Sequence, residues 1–164
     1  NNQLDMLLTN TTNKRKVYVK YYLKAKQIKK QDLDEIIEDL YVIEEVLTKN
    51  DTLMIITEDE PNDTIISKIK YLYEHDEIFI VIHNIKRLQF NILKHTLVPS
   101  CQVLLPEEVI VLKQKYNLDS VDQLPEVSRF DPQSLAMCLR PGEVCKYHRK
   151  SVTAMNTEYY RVCV

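Results

Sequence analysis

The chain contains a single glycine among its 164 residues, and that glycine lies in the sequence Arg-Pro-Gly-Glu at 140–143. This order predicts a type II turn, with Pro141 in its second position and Gly142 in its third, where a positive φ is needed. Two alternating runs follow, VCKYHR at 144–149 and EYYRVC at 158–163, and they predict antiparallel strands. The only glycine therefore marks the turn from which this strand pair begins.

The residues before this turn carry helix signals. Leu124-Pro125 predicts extended backbone, Asp131 is the predicted N-cap of a short helix, and Pro132 is its first residue. Pro106 begins a second predicted helix. The apolar stripe of that second helix is predicted to comprise Leu105, Val109, Leu112 and Tyr116. We therefore expect residues 95–164 to form a small α+β module.

The residues before 95 alternate strand and helix patterns. Strands are predicted at 17–23, 52–61 and 77–85. A helix capped by Asn62 or Asp63 is expected, and strand, helix and strand within about 35 residues predict a parallel, right-handed βαβ unit. An amphipathic helix is predicted at 32–47, with Asp32 and Glu35 as a capping box. Its apolar stripe is predicted to comprise Leu33, Ile36, Ile37, Leu40, Ile43 and Leu47.

These patterns predict an α+β protein of two domains. An N-terminal α/β domain is expected at 1–94, and a smaller α+β domain at 95–164. Mean hydropathy is -0.30 and 45% of residues are hydrophobic, which is typical of a folded globular protein. The net charge of -2 favours no general attraction to nucleic acid. Four cysteines without a Cys-x-x-Cys pair favour reduced thiols and an intracellular protein.

Three clusters are candidate chemical sites. Glu58, Asp59 and Glu60 follow a strand, as metal-binding carboxylates of nucleases do, but the next strand lacks the acid-x-Lys pair of such enzymes. Cys138, Cys145, Cys163 and His148 could be counted as zinc ligands, although Cys145 and His148 should face opposite sides of a strand. The run 14–30 is basic and could touch phosphates, or pair with the acidic helix that follows. In each case we favour the structural interpretation, and we predict no catalytic residue, metal or cofactor.

An ordered set of residues in 95–164 resembles the C-terminal assembly domain of subunit 5 of eukaryotic RNA polymerases, a family that includes the corresponding archaeal subunit. The matching residues are His95, Leu97, Val98, Pro99, Leu124, Pro125, Asp131, Pro132, Gly142, Glu143, Val144, Arg149, Ser151, Thr153, Tyr160 and Arg161. Residues 52–94 resemble the N-terminal jaw domain of that family more loosely. The chain is similar to a short, divergent member, of the kind encoded by a large DNA virus or a reduced parasite.

The resemblance implies a non-catalytic subunit of a DNA-directed RNA polymerase. Its C-terminal domain would dock on the largest subunit, and its jaw would lie near downstream DNA, with at most weak DNA contact. No membrane or small-molecule substrate is implied. The expected location is the nucleus for a cellular protein, and the virion or host cytoplasm for a viral one. The residues expected to contact partners are Pro99, Pro125, Asp131, Pro132, Gly142, Glu143, Arg149, Ser151, Thr153, Tyr160 and Arg161.

The chain also departs from the family pattern. The family has glycine at Cys138 and Met155, a basic residue at Pro141, an acid at Val152 and arginine at Asn156. The tip of the predicted hairpin is therefore expected to contact its partner differently. The sequence leaves two alternatives open: a metal-dependent nuclease-like enzyme, and a free-standing adaptor of the same fold.

Overall fold

The structure is a computed structural model that describes residues 4–11 and 14–164, and the chain divides into two compact units, Asn1–Phe90 and Asn91–Val164. The division lies four residues before the predicted domain boundary. The N-terminal unit contains β1 (Met6–Thr9), β2 (Lys16–Tyr21), α1 (Lys30–Glu38), β3 (Thr52–Thr57), α2 (Asp63–Asp76) and β4 (Phe79–Asn84). The C-terminal unit contains β5 (Ser100–Val103), α3 (Pro106–Tyr116), β6 (Glu126–Val127), α4 (Pro132–Met137), β7 (Val144–Ser151) and β8 (Met155–Cys163).

The N-terminal unit is built on a four-stranded sheet in the order β1-β2-β3-β4. Strands β2, β3 and β4 run parallel, with Val19 opposite Met54 and Met54 opposite Val81, whereas β1 pairs antiparallel with β2. A parallel pair needs a crossover, because the chain must return to the end where the first strand began. Helix α2 provides it between β3 and β4, so the predicted parallel strand–helix–strand unit is present.

Helices α1 and α2 bury apolar side chains in one cluster with the sheet. The buried helical residues are Leu33, Ile36, Ile37, Ile65, Ile69 and Leu72. Helix α2 begins as predicted, because the Asn62 side chain accepts a 3.0 Å hydrogen bond from the backbone N–H of Ile65.

The predicted helix at 32–47 is partly wrong. Helix α1 begins two residues earlier, at Lys30, and Asp32 lies in its first turn, where its carboxylate accepts from the N–H of Lys29 at 3.3 Å. One π turn, Asp39–Ile43, then follows α1. A π turn holds more residues than an α turn and rotates the following side chains around the axis. Ile43, expected in the apolar stripe, is consequently 68% exposed.

The C-terminal unit holds a second four-stranded sheet, in the order β5-β7-β8-β6. Strands β7 and β8 form the predicted antiparallel hairpin, and it extends further than expected, to the pair Ser151 and Met155. Strand β5 pairs antiparallel with β7, and β6 pairs parallel with β8. A buried cluster on one face comprises Leu139, Cys145, Tyr147 and Cys163.

Helix α3 begins at Pro106 as predicted, with Glu107 and Glu108 in its first turn. Its predicted apolar stripe is only partly buried, since Leu112 is covered but Leu105 is 65% exposed. Leu105 occupies the N-cap, before the helical periodicity begins, and so does not follow the buried face. Among the described residues, no helix is long and apolar enough to cross a membrane.

Candidate functional site

At the start of α4, Gln133 forms hydrogen bonds with two residues that were predicted to contact partners, Pro99 and Asp131. The Gln133 side-chain amide donates to the Pro99 carbonyl at 2.8 Å, and the Asp131 carboxylate accepts from the backbone N–H of Gln133 at 3.1 Å. Pro132 is the first helical residue, so both helix-start predictions are confirmed. Gln133 is buried, whereas Asp131 and Pro132 are exposed. The cap therefore faces outward while the amide holds the segment that leads into β5.

Pro125 lies at the opposite edge of the same sheet. Its carbonyl accepts a 3.0 Å hydrogen bond from the N–H of Val162, next to the pairing of β6 with β8. Sequence reasoning overlooked the nearby Arg129, which is only 5% exposed and donates its backbone N–H to the carbonyl of Val164 at 2.8 Å. Burial raises the pKa of the adjacent Cys163 to about 11, and Arg129 opposes that rise. No local signal marks Arg129, because its burial depends on contacts distant in sequence.

The turn at 140–143 has the predicted geometry. Gly142 has a φ of +87°, and the N–H of Glu143 donates to the carbonyl of Arg140 at 3.1 Å. The Glu143 carboxylate accepts from the N–H of Arg140 at 2.9 Å, so this side chain closes the turn. The N–H of Gly142 also donates to the carbonyl of Cys163 at 2.9 Å, which joins the turn to the end of β8.

Arg149 and Arg161 meet at the ring of Tyr159, which sequence reasoning did not single out. Their guanidinium carbons lie 5.7 and 5.8 Å from the ring centroid, and the ring itself stacks on Tyr147 at 5.0 Å. Alternation along the strands places these residues on one face. We call Arg149, Tyr159 and Arg161 the arginine–tyrosine surface.

Among the described residues, neither Arg149 nor Arg161 forms an ion pair with Glu143 or Glu158. Glu158 instead binds Lys146 at 2.7 Å, and this contact lowers the pKa of Glu158 and raises that of Lys146. Arg161 donates to the backbone carbonyl of Glu126 at 3.2 Å. The guanidinium of Arg149 therefore retains donors that a partner can use.

The hairpin tip is held by Ser151. Its hydroxyl lies 3.3 Å from that of Thr153, and the N–H groups of Thr153 and Ala154 donate to it at 3.4 Å. Val152 is fully exposed, and Met155 is 83% exposed with a left-handed φ of +56°. A non-glycine residue is strained in this region, so the tip presents two apolar side chains on a constrained turn.

Tyr160 lies on the other face of β8, away from the arginine–tyrosine surface. Its ring contacts that of Tyr116 in α3 at 5.8 Å, and its hydroxyl donates to Glu158 at 3.4 Å. Burial raises the pKa of Tyr160. The predicted contact residues therefore occupy both faces and both edges of the sheet and do not form one patch.

Two of the three carboxylates considered as a metal site, Asp59 and Glu60, belong to ion pairs. Asp59 lies 3.4 Å from the ammonium of Lys86, and Glu60 lies 2.5 Å from the guanidinium of Arg87. Within residues 4–11 and 14–164, no group of three or more histidine, cysteine or acidic side chains has the geometry to hold a metal ion.

Comparison with known proteins shows which family this chain resembles. Residues 90–163 match the family described as RNA polymerase Rpb5, C-terminal domain. The chain is 42% identical to DNA-directed RNA polymerase subunit Rpo5 of Pyrococcus abyssi over 76 residues, which are 46% of this chain and 92% of that protein. It is 41% identical to Rpo5 of Thermococcus kodakarensis, again over 46% of this chain and 92% of that protein. It is 37% identical to Rpo5 of Methanococcus maripaludis, over 43% of this chain and 88% of that protein.

The chain therefore belongs to the Rpb5 family of DNA-directed RNA polymerase subunits. The resemblance drawn from its motifs is confirmed, and with it the α+β fold class. The expectation of a non-catalytic subunit, and not an enzyme, is confirmed by the same membership.

Proposed function

We propose that this protein docks on the largest subunit of a multisubunit DNA-directed RNA polymerase through its C-terminal unit. The observation that carries the proposal is the coincidence of two ranges. The family match covers residues 90–163, and the compact unit spans Asn91–Val164. What this chain shares with its relatives is therefore one folded unit, and a subunit without an active site acts through its surface.

The arginine–tyrosine surface supplies the polar part of this contact. Planar guanidinium groups suit carboxylates and backbone carbonyls, which accept two hydrogen bonds from one fork. Arg149 and Arg161 lie near the same ring, and Tyr159 is itself stacked on the buried Tyr147. This support reduces the side-chain entropy that is lost when a partner binds.

The hairpin tip supplies an apolar part. Val152 and Met155 are almost entirely exposed. In the family pattern that the resemblance implies, an acid and a glycine stand at these two positions. An apolar depression on the partner would cover the side chains of Val152 and Met155. A relative with an acid at the position of Val152 would instead present a negative charge to its partner. The remaining predicted contact residues, Pro99, Pro125, Asp131, Pro132, Gly142, Glu143, Ser151, Thr153 and Tyr160, shape the unit or lie at its edges.

The N-terminal domain, residues 1–94, would act as a jaw near downstream DNA. Lys16 and Lys20 in its basic run already have partners, since Lys16 donates to the carbonyl of Val46 at 3.1 Å and Lys20 pairs with Asp5 at 3.3 Å. Their engagement supports at most weak contact with DNA. The protein would work where its polymerase works: the nucleus if it is cellular, and the virion or host cytoplasm if it is viral.

Co-purification of the full chain with its largest subunit tests the docking. Changing both Arg149 and Arg161 to Ala should weaken binding by about tenfold or more, since arginines at interfaces often contribute over ~1 kcal/mol. The matched control changes Lys113 and Lys115 of α3 to Ala, which removes the same charge from another part of the unit. No binding by the unchanged chain, or equal losses in both variants, would contradict the proposal.

A further inference from the structure

Strand β8 of the C-terminal sheet has an open edge along most of its length. It spans Met155–Cys163 and pairs with β7 over that whole length. Its other neighbour, β6, is only two residues long and pairs with Val162 and Cys163 alone. Within the described part of the chain, the stretch 155–161 of β8 therefore has a paired strand on one side only.

Pro125 explains why β6 does not extend further along β8. Its carbonyl accepts a 3.0 Å hydrogen bond from the N–H of Val162, but proline has no N–H to donate to a neighbouring strand. A 3₁₀ turn, Val121–Gln123, comes shortly before it, so the preceding chain is not extended. The chain consequently supplies no strand of its own beside the outer part of β8.

The backbone groups of β8 alternate between its two sides. The N–H of Val162 donates on the β6 side, whereas the N–H of Cys163 donates at 2.9 Å on the β7 side. Successive residues of a strand direct their N–H and C=O groups to opposite sides, so Glu158 and Tyr160 direct theirs to the open edge. Among residues 14–164, these two N–H and two C=O groups have no hydrogen-bond partner. Glu158 is exposed and Tyr160 is half-buried, so a partner can reach this edge.

Charged side chains beside the open edge determine which segment can bind there. Arg161 on β8 and Arg149 on β7 lie on one face of the sheet, where both contact the ring of Tyr159. Glu158 lies on the opposite face and pairs with Lys146 at 2.7 Å. An added strand would alternate its side chains in the same way. Acids on its arginine face would meet guanidinium groups, whereas acids on its other face would be repelled by Glu158.

We propose that an extended segment of the largest polymerase subunit adds to β8 as a further strand and bonds to the backbone groups of Glu158 and Tyr160. This segment carries acidic side chains at alternate positions, directed toward Arg149 and Arg161. When a strand adds to an open edge, main-chain hydrogen bonds supply affinity and alternate side chains supply specificity. The inference rests on the proposed function, because it specifies how the same C-terminal unit contacts its partner.

Hydrogen exchange at single amides distinguishes strand addition from other kinds of docking. The full chain is measured alone and within the polymerase with which it purifies. We expect the N–H groups of Glu158 and Tyr160 to exchange about tenfold or more slowly in the complex, since both gain an acceptor. The N–H of Tyr159 faces β7 in both states and should change less. Binding without slower exchange at Glu158 and Tyr160 would overturn this inference alone, whereas a chain that binds no largest subunit would overturn the proposed function as well.

A pair of variants at one position tests the same hydrogen bonds. Glu158→Pro removes an N–H from the open edge, where a strand tolerates proline, and Glu158→Ala removes the same carboxylate but keeps the N–H. The proline variant should bind the largest subunit about tenfold more weakly than the alanine variant, because it loses a main-chain bond and its ring hinders pairing. Equal affinities, with the same circular dichroism, would contradict strand addition. If the proline variant fails to fold, the exchange pattern of the unchanged chain decides.

Discussion

The side-chain amide of Gln133 donates a 2.8 Å hydrogen bond to the backbone carbonyl of Pro99, 34 residues earlier in the chain. This bond joins the first turn of α4 to the segment that enters β5. The same turn carries the Asp131 cap, so one buried amide connects two sequence motifs that are distant along the chain. Two motifs of the family that lie far apart in the sequence are thus joined by a hydrogen bond within this unit.

Changing Gln133 to Ala should lower the free energy of unfolding of the C-terminal unit by about 1–3 kcal/mol, because it leaves the Pro99 carbonyl without its amide donor. Urea denaturation followed by circular dichroism measures this loss. Gln114→Ala, at an exposed position of α3, is the control and should change stability little. Equal effects of the two variants would show that the Gln133 bond contributes nothing.

Changing Gly142 to Ala should destabilise the same unit by about 1–2 kcal/mol, the cost of a left-handed residue with a Cβ. A Cβ at this position would have no atom within 4 Å, so the loss is conformational and not steric. Asn tolerates left-handed backbone better, and Gly142→Asn should therefore recover part of the loss. Thermal melts of the three proteins check this order, and an Asn variant no more stable than the Ala variant would refute it.

Changing Met155 to Gly should stabilise the hairpin by about 1 kcal/mol, since the residue has a φ of +56°. Met155→Ala keeps the strain and should bring no such gain. Both variants remove the exposed side chain, so both should weaken binding to the largest subunit equally. Denaturation and binding measured on the same samples separate the two effects. Unchanged binding in both variants would exclude a contact through this side chain.

Asp51 predicts a pH dependence of the N-terminal unit. Its buried carboxylate accepts from the N–H of Lys16 at 2.7 Å, and from the N–H and hydroxyl of Thr48 at 2.8 and 2.7 Å. Burial alone would raise its pKa, but these bonds and the charge of Lys16 together lower it. Because the pKa of Asp51 is lower in the folded chain than the value of about 3.9 expected in the unfolded chain, the Asp51 carboxylate stabilises the fold at pH values above about 3.9. This stabilisation is lost as the pH falls from there through the folded-state pKa.

Changing Asp51 to Asn should therefore cost about 1–3 kcal/mol near neutral pH, where charged hydrogen bonds are lost. The difference from the unchanged chain should shrink below about pH 4, as the carboxylate itself becomes protonated. Hydrogen exchange of peptides from β2 and β3 at several pH values measures this. Glu74→Gln, on the exposed surface of α2, is the control. A difference that stays constant with pH would contradict the role of the charge.

Most local signals predicted local structure correctly, although the helix start predicted at Asp32 was wrong because α1 begins at Lys30. Asn62 and Asp131 cap helices, Pro106 and Pro132 begin them, and Gly142 forms its turn. Each of these outcomes depends on the chemistry of a few consecutive residues. Residue spacing within a strand also placed Cys145 and His148 correctly, since Cys145 is buried and His148 is exposed.

The errors arose where distant residues decide the outcome. The π turn after α1 moved Ile43 into solvent, which the helical spacing could not indicate. The sequence did not indicate that Tyr159 lies beside both Arg149 and Arg161, or that Lys146 pairs with Glu158. Pairing register is set by the whole sheet, so Arg149 and Arg161 could be singled out from the sequence, but their arrangement around Tyr159 could not.

The most direct test of the account is affinity purification of the tagged full chain from its native source, with mass spectrometry of the proteins that accompany it. We predict the largest subunit of a DNA-directed RNA polymerase in equal stoichiometry, together with other subunits of that enzyme. A chain that purifies alone, or with partners that include no polymerase subunit, would contradict the account.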